Sequence, residues 1–367
     1  INLTALSQKD GVGLVRKILN VSDLDEPLMD LVLERSEGNP FYIEELSELL
    51  LNGDMVEIEN NLASLKKGDI DKIPTKLNEL ILSKVDRLDT DLKEIIRLAS
   101  VIGKEFSTKM LENLIELGAR LKTGLEMIEK KDLIMNITEN IEMLMSGDEE
   151  YAFKHIMIRD AVYKSLLKKQ RKEYHLLVGK TLEAMFEDNL DDYIEIILYH
   201  FRESGDEDKL KEYLVKAGKL EKKLGNYNKS EEYYNQWIEL LGNEICKTED
   251  NIENYLGFVD LKQLTADYDE GLEILDSIEK KSSKLLKGEL LARYKISKGS
   301  ILSYLGKYDD ALELGRESEG ILSKIKSPDE ELKGSCFNLS GSCYGDLGEY
   351  DRALEYHNKS LEIRLKT

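Results

Sequence analysis

Four histidines and three cysteines are the residues of this chain best suited to chemistry, and their spacing excludes most of it. His155, His175, His200 and His357 do not make a zinc spacing, and Cys246, Cys336 and Cys343 form no C-x-x-C pair and do not join them at ligand distance in sequence. Neither Gly-x-Ser-x-Gly nor a phosphate-binding G-x-x-x-x-G-K-[ST] loop occurs, and no strand ends in paired acids. The acid pairs Glu44-Glu45 and Asp191-Asp192 read as ordinary exposed helix residues. No catalytic residue and no metal site is therefore expected. Two strings remain, Gly38-Asn39-Pro40-Phe41-Tyr42-Ile43-Glu44-Glu45-Leu46 and Phe153-Lys154-His155 with Ile158-Arg159-Asp160-Ala161-Val162-Tyr163. In the first, Gly38 supplies a left-handed stop, Asn39 a helix cap and Pro40 a first helical position. In the second, His155 ends a strand, and Arg159 and Asp160 lie one helical turn on, placed to orient it or to pair with each other.

The elements that must position these strings read as follows. Residues 1–72 form a small helical unit, with one helix over Asp25 to Glu37 on Leu28, Leu31, Val32 and Leu33, and a second from Pro40 through Leu51. In 73–165, Pro74 opens a helix through Leu77, Leu80, Ile81 and Val85. Three further helical patterns follow at about 91–102, 107–118 and 120–131. Leu133 to Ile137 and Tyr151 to Phe153 then pair as a hairpin around an acidic wing of Glu139, Glu142, Asp148, Glu149 and Glu150. Three helices followed by a hairpin is the winged-helix order. Residues 166–206 read as connecting helices.

From 207 to 367 an internal repeat appears. Leu224-Gly225-Asn226-Tyr227, Ala266-Asp267-Tyr268, Leu305-Gly306-Lys307-Tyr308 and Leu347-Gly348-Glu349-Tyr350 recur in register, the tyrosines 41, 40 and 42 residues apart. Three residues beyond each tyrosine stands a small residue, Ser230, Gly271, Ala311 or Ala353. A tight turn joining two antiparallel helices, with a small residue where they approach, accounts for the pattern. It resembles the tetratricopeptide repeat in a long form, and the unit with Gly341, Tyr344, Gly348, Tyr350 and Ala353 is the clearest. Stacked hairpins leave a concave groove lined by the first helix of each pair. The register places Arg293, Ser300, Tyr304, Asn338 and Ser342 on that groove, where they would contact a protein, peptide or small ligand. The array looks incomplete at Thr367 and is expected to continue.

Composition bounds the rest. With 41% hydrophobic and 34% charged residues and only 4 prolines, the chain is globular and mainly α. The 73 acidic against 52 basic residues give a net charge of −21, which repels nucleic acid. The third helix of the winged-helix region offers Lys122, Lys130 and Lys131, but the acidic wing beside it has the wrong sign for phosphate. The run Lys164, Lys168, Lys169, Arg171 and Lys172 reads as a solvated helix face. The cysteines read as small buried residues of a reducing compartment, so a cytoplasmic location is expected. No run reaches the roughly 18 apolar residues of a membrane span, and no signal peptide is expected. Ile1-Asn2-Leu3 reads as mid-domain sequence, so further chain is expected upstream.

The two strings are similar to signature stretches of the signal-transduction ATPases with numerous domains, AAA-type regulatory ATPases fused to cyclases, kinases or transcription activators. Ile73-Pro74-Thr75-Lys76-Leu77, Asp86-Arg87-Leu88 and Ala99 to Phe106 also look like the linker and first winged-helix segments of that family, and the likeness spans about 1–185. The resemblance implies a helical lid at 1–72, a winged helix at 73–165 and a repeat sensor after them. It further implies that Pro40 packs against adenine, with Phe41 nearby, and that His155 donates to the β-phosphate of ADP. An imidazole suits that task because it hydrogen-bonds phosphate and releases it at modest cost. ATP or ADP would be held only in an intact protein with an upstream nucleotide-binding domain, because this chain has no phosphate-binding loop. The alternative is a tetratricopeptide scaffold or adaptor with no nucleotide role.

Overall fold

Helix starts follow the short polar side chains that cap them. Asp25 accepts from Leu28 N–H at 3.0 Å, Asp89 from Leu92 N–H at 2.9 Å and Asp329 from Leu332 N–H at 3.0 Å. The computed structural model describes residues 5–66, 73–139 and 148–365. The expectations placed on Ile1-Asn2-Leu3, Glu142 and Thr367 fall outside those residues, as does the proposed boundary at 72. Among the described residues there are eighteen α-helices and six short strands, so the fold is mainly α. The chain divides into two units, Ile1–Met185 and Phe186–Thr367. The division falls inside the stretch read as connecting helices.

The first unit runs α1 (Gln8–Leu19), β1 (Asp23–Leu24), α2 (Glu26–Ser36), α3 (Pro40–Asn52), β2 (Val56–Glu59), β3 (Leu62–Leu65), α4 (Leu77–Asp86), α5 (Thr90–Ile102) and β4 (Glu105–Ser107). It continues with α6 (Thr108–Leu114), α7 (Ala119–Glu129), β5 (Ile134–Asn136), β6 (Glu150–Phe153), α8 (Ile156–Ser165) and α9 (Lys168–Met185). Its opening segment is not purely helical. β2 and β3 pair antiparallel through a turn with positive φ at Asn60 and Asn61, and β1 adds in parallel to β3. The expected hairpin is present as β5 and β6, with Ile134 opposite Phe153, and β4 joins β6 as a third antiparallel strand.

Three expectations need correction. The helix assigned to open at Pro74 begins at Leu77, because the Pro74 carbonyl accepts from Arg35 and from the Tyr42 hydroxyl, while Glu79 reaches back to Thr75. The helix expected over 107–118 ends at Leu114, where Ile115 turns extended. Glu45 is buried rather than exposed, and its carboxylate meets Lys84 Nζ at 2.5 Å, joining α3 to α4. Burial raises the Glu45 pKa, against the opposing pull of Lys84.

The second unit opens with α10 (Leu190–Ser204) and continues as helical pairs: α11 (Glu207–Lys223) with α12 (Tyr227–Leu241), α13 (Glu249–Leu264) with α14 (Tyr268–Ser282), α15 (Gly288–Tyr304) with α16 (Tyr308–Leu322), and α17 (Glu330–Asp346) with α18 (Tyr350–Arg364). Every repeat tyrosine is the first residue of a second helix. The small residues after them sit at the close approaches: Ser230 is buried and donates to Gly218 O at 2.7 Å, and a Cβ on Gly271 would come within 2.7 Å of Ile301. Gly225, Gly306 and Gly348 make the turns with φ of 81, 76 and 80°, and Ala266 is forced into the same region at φ 60°. An alanine there is strained, so Ala266→Gly is expected to stabilise the second unit by about 1 kcal/mol. Thermal denaturation checks this, and an unchanged or lower midpoint would contradict it.

Candidate functional site

Each unit holds one candidate. In the first, Asn39 Oδ1 accepts from Tyr42 N–H at 3.3 Å and so starts α3 with Pro40 exposed at its first position. Tyr42 and Ile43 on the same turn are buried. α8 starts at His155, whose Nδ1 accepts from Met157 N–H at 3.2 Å. α8 is held against α4 and α5, and Arg159 Nε donates to Ser100 O at 2.8 Å. These anchors bring the two strings together: the Phe41 and His155 rings stack at 4.3 Å between centroids and 7° between planes. With Nδ1 accepting, the proton of the neutral ring lies on Nε2, which is left as a donor. Arg159 and Asp160 pair with each other at 3.1 Å, so of the two roles open to them the structure places them in a pair. Arg159 also lies over the Tyr163 ring at 4.7 Å.

In the second unit all five residues assigned to the groove line one cavity of about 480 Å³: Arg293, Ser300, Tyr304, Asn338 and Ser342. Tyr304 is 65% exposed and stacks on Tyr268 at 5.3 Å, presenting an aromatic platform at the cavity edge. Arg293 is less available than its position suggests, because its guanidinium pairs with Asp260. A second cavity of about 810 Å³ adjoins the first and shares Asp260, Arg293 and Ser335 with it. Lys222 reaches it from α11, donating to Gly257 O at 3.2 Å and lying 3.8 Å from Asp260. Burial holds Lys222 below the usual lysine value, with Asp260 opposing and Arg293 reinforcing the shift. Sequence reasoning did not single out these neighbours. The available signal was the acids opening successive first helices, Glu249, Glu289 and Asp329, which recur at 40-residue intervals.

All three cysteines are buried and unbridged. Among the described residues no group of three His, Cys, Asp or Glu side chains is arranged to hold a metal ion, and no helix is long and apolar enough to cross a membrane.

Residues 204–240 and 290–366 match the tetratricopeptide repeat, which places α11–α12 and α15–α18 within that pattern. Residues 7–64, covering α1 to β3, match a domain of unknown function (DUF8739). A comparison with curated proteins gave no match. Among solved structures the chain is similar to a signal transduction ATPase with numerous domains carrying a tetratricopeptide repeat sensor, from Pyrococcus horikoshii. That likeness has 15% identity and a TM-score of 0.42, covering 99% of this chain and 54% of the other. The chain thus spans about half the length of that protein. It is also similar to Rap protein complexed with competence and sporulation factor, at 13% identity and TM-score 0.39 over 78% of this chain and 76% of that one. MamA from Desulfovibrio magneticus aligns at 13% identity and TM-score 0.38, over 53% of this chain and 96% of its own.

Proposed function

We propose that the chain is the regulatory region of a multidomain signal-transduction ATPase. The first unit acts as a lid and winged helix closing over a nucleotide held by an upstream domain, and the repeats bind a protein or peptide. The stack of Phe41 on His155 carries this reading, since it joins the two strings whose family resemblance assigns both to the nucleotide. The residues fit such a ligand. His155 keeps an Nε2 donor for a phosphate oxygen, and Pro40 stands exposed beside the stack, where an adenine would pack. Bound nucleotide would supply the charge that holds the closed state. A partner on the repeats would favour an open one, so that two sites bias one equilibrium.

The test is nucleotide retention in the full-length protein. His155→Ala is expected to release ADP about tenfold faster or more and to raise basal activity, matching the loss of a charge-assisted hydrogen bond. His155→Gln, which keeps a donor near the Nε2 position, should fall between. ADP affinity unchanged in both variants would remove His155 from the nucleotide and leave the scaffold reading.

A further inference from the structure

The larger cavity of the repeat groove has an unbalanced rim. Glu249, Asp250, Glu253, Glu289, Asp329 and Glu331 line it, while its cations are already engaged. Lys219 donates to Asn254 Oδ1 at 2.8 Å, Lys222 to the Gly257 carbonyl, and Arg293 to Asp260. Glu249, Asp250 and Glu331 make no ion pair among the described residues. Alone, such a rim is only a solvated acidic edge.

A second, independent feature lies beneath it. Tyr234 of α12 is 0% exposed, and its hydroxyl is buried with no hydrogen-bond partner. The ring threads between two glycines: a Cβ on Gly218 of α11 would come within 3.1 Å of its edge, and one on Gly257 of α13 within 3.1 Å of its hydroxyl. Among the described residues Gly257 is the only glycine lining the cavity, and the hydroxyl, itself covered, ends against this part of the floor that carries no side chain. Asp260 and Arg293, on the same wall, both act on it electrostatically. A phenylalanine would fill the same core volume without an unpaired hydroxyl, so the tyrosine costs stability unless something completes its hydrogen bonding.

We infer that this cavity takes a cationic peptide segment. A lysine or arginine side chain is held at the rim by Glu249, Asp250 and Glu331, and a main-chain carbonyl of the same segment accepts from the Tyr234 hydroxyl as Lys222 releases Gly257. A peptide carries both groups on one backbone, whereas nucleic acid brings charge of the wrong sign to the rim. The inference rests on reading the repeats as a partner site and names the chemistry of the partner.

The experiment is fluorescence anisotropy with short labelled peptides of one scaffold sequence carrying lysine, glutamine or glutamate at the variable positions. The lysine peptide is expected to bind best. Glu249→Gln with Asp250→Asn should weaken it about tenfold, while Asp309→Asn with Asp310→Asn, exposed acids elsewhere on the array, should leave it unchanged. Tyr234→Phe should weaken binding about threefold or more while the melting temperature holds or rises; a tyrosine with only a structural role would leave binding as it was. Equal weakening by both acid pairs would reduce the effect to net charge and overturn the inference. Groove-dependent binding of the glutamate or glutamine peptide instead would overturn it while sparing the partner-site reading. Binding of no peptide that responds to groove substitutions would count against both.

Discussion

Replacing Lys262 by methionine is expected to destabilise the second unit by about 2–3 kcal/mol, a drop of roughly 5–10 °C in its melting midpoint. Lys262 is 1% exposed, yet its ammonium lies 2.5 Å from Glu231 of α12, 2.7 Å from Glu270 of α14 and 3.4 Å from Asp267 in the turn between α13 and α14. One cation thus ties together three segments of two successive repeats, with the Phe258 ring 5.0 Å beneath it. Removing a buried charge partner typically costs about 3–5 kcal/mol, and the lower figure here reflects partners that are a third to a half exposed and turn partly to water. Burial pulls the lysine pKa down, but the hydrogen bonds its ammonium donates to Glu231 and Glu270 outweigh it and hold the value above the usual one. The contribution of a raised lysine is complete below its unfolded pKa and is lost only as pH climbs through the folded value, so the effect is fully present at neutral pH. The triple variant with Glu231→Gln and Glu270→Gln is expected to recover most of the loss, because the stranded carboxylates go with the lysine. A single variant as stable as the parent would show that the lysine does not hold the repeats together.

What the sequence revealed follows from what is local. The four tyrosine positions, the turns before them and the small residues after them are set by helix geometry within a single pair, so they were readable without any contact map. The five groove residues followed from the same register. Two kinds of feature escaped. The β1–β3–β2 sheet depends on Asn60 and Asn61 adopting positive φ between strands of four residues, and alternation over Val56 to Glu59 is too short to compete with helical neighbours. The groove's polar floor depends on Tyr234 passing between glycines of two different helices, and no spacing along the chain encodes that. Glu45 shows the same limit. Beside Glu44 it reads as half of an exposed pair, and only the fold shows that α3 turns it onto Lys84 of α4. The Phe41–His155 stack lies between these cases: each string was legible alone, and their meeting was not.

Acid is expected to weaken the first unit before the ordinary carboxylates titrate, through His175. This side chain on α9 is 0% exposed, and its Nε2 lies 2.9 Å from the Tyr163 hydroxyl of α8. Burial is the main cause that lowers its pKa to about 4, with Arg159 and Arg171 adding to it. Arg171, read from sequence as part of a solvated face, in fact lies 5.5 Å from the Tyr163 ring. In the unfolded chain the imidazole takes its proton near pH 6.5, so between about 6.5 and 4 the unfolded state binds more protons and stability falls as pH falls. The loss reaches about 2 kcal/mol by pH 5 and about 3 kcal/mol once both states are protonated. Urea denaturation of the parent and His175→Gln across pH 7.5 to 5 isolates this, since the glutamine keeps a partner for Tyr163 but cannot charge. The parent's stability should fall relative to the variant's through the window, and parallel curves would mean that His175 carries no proton-linked cost.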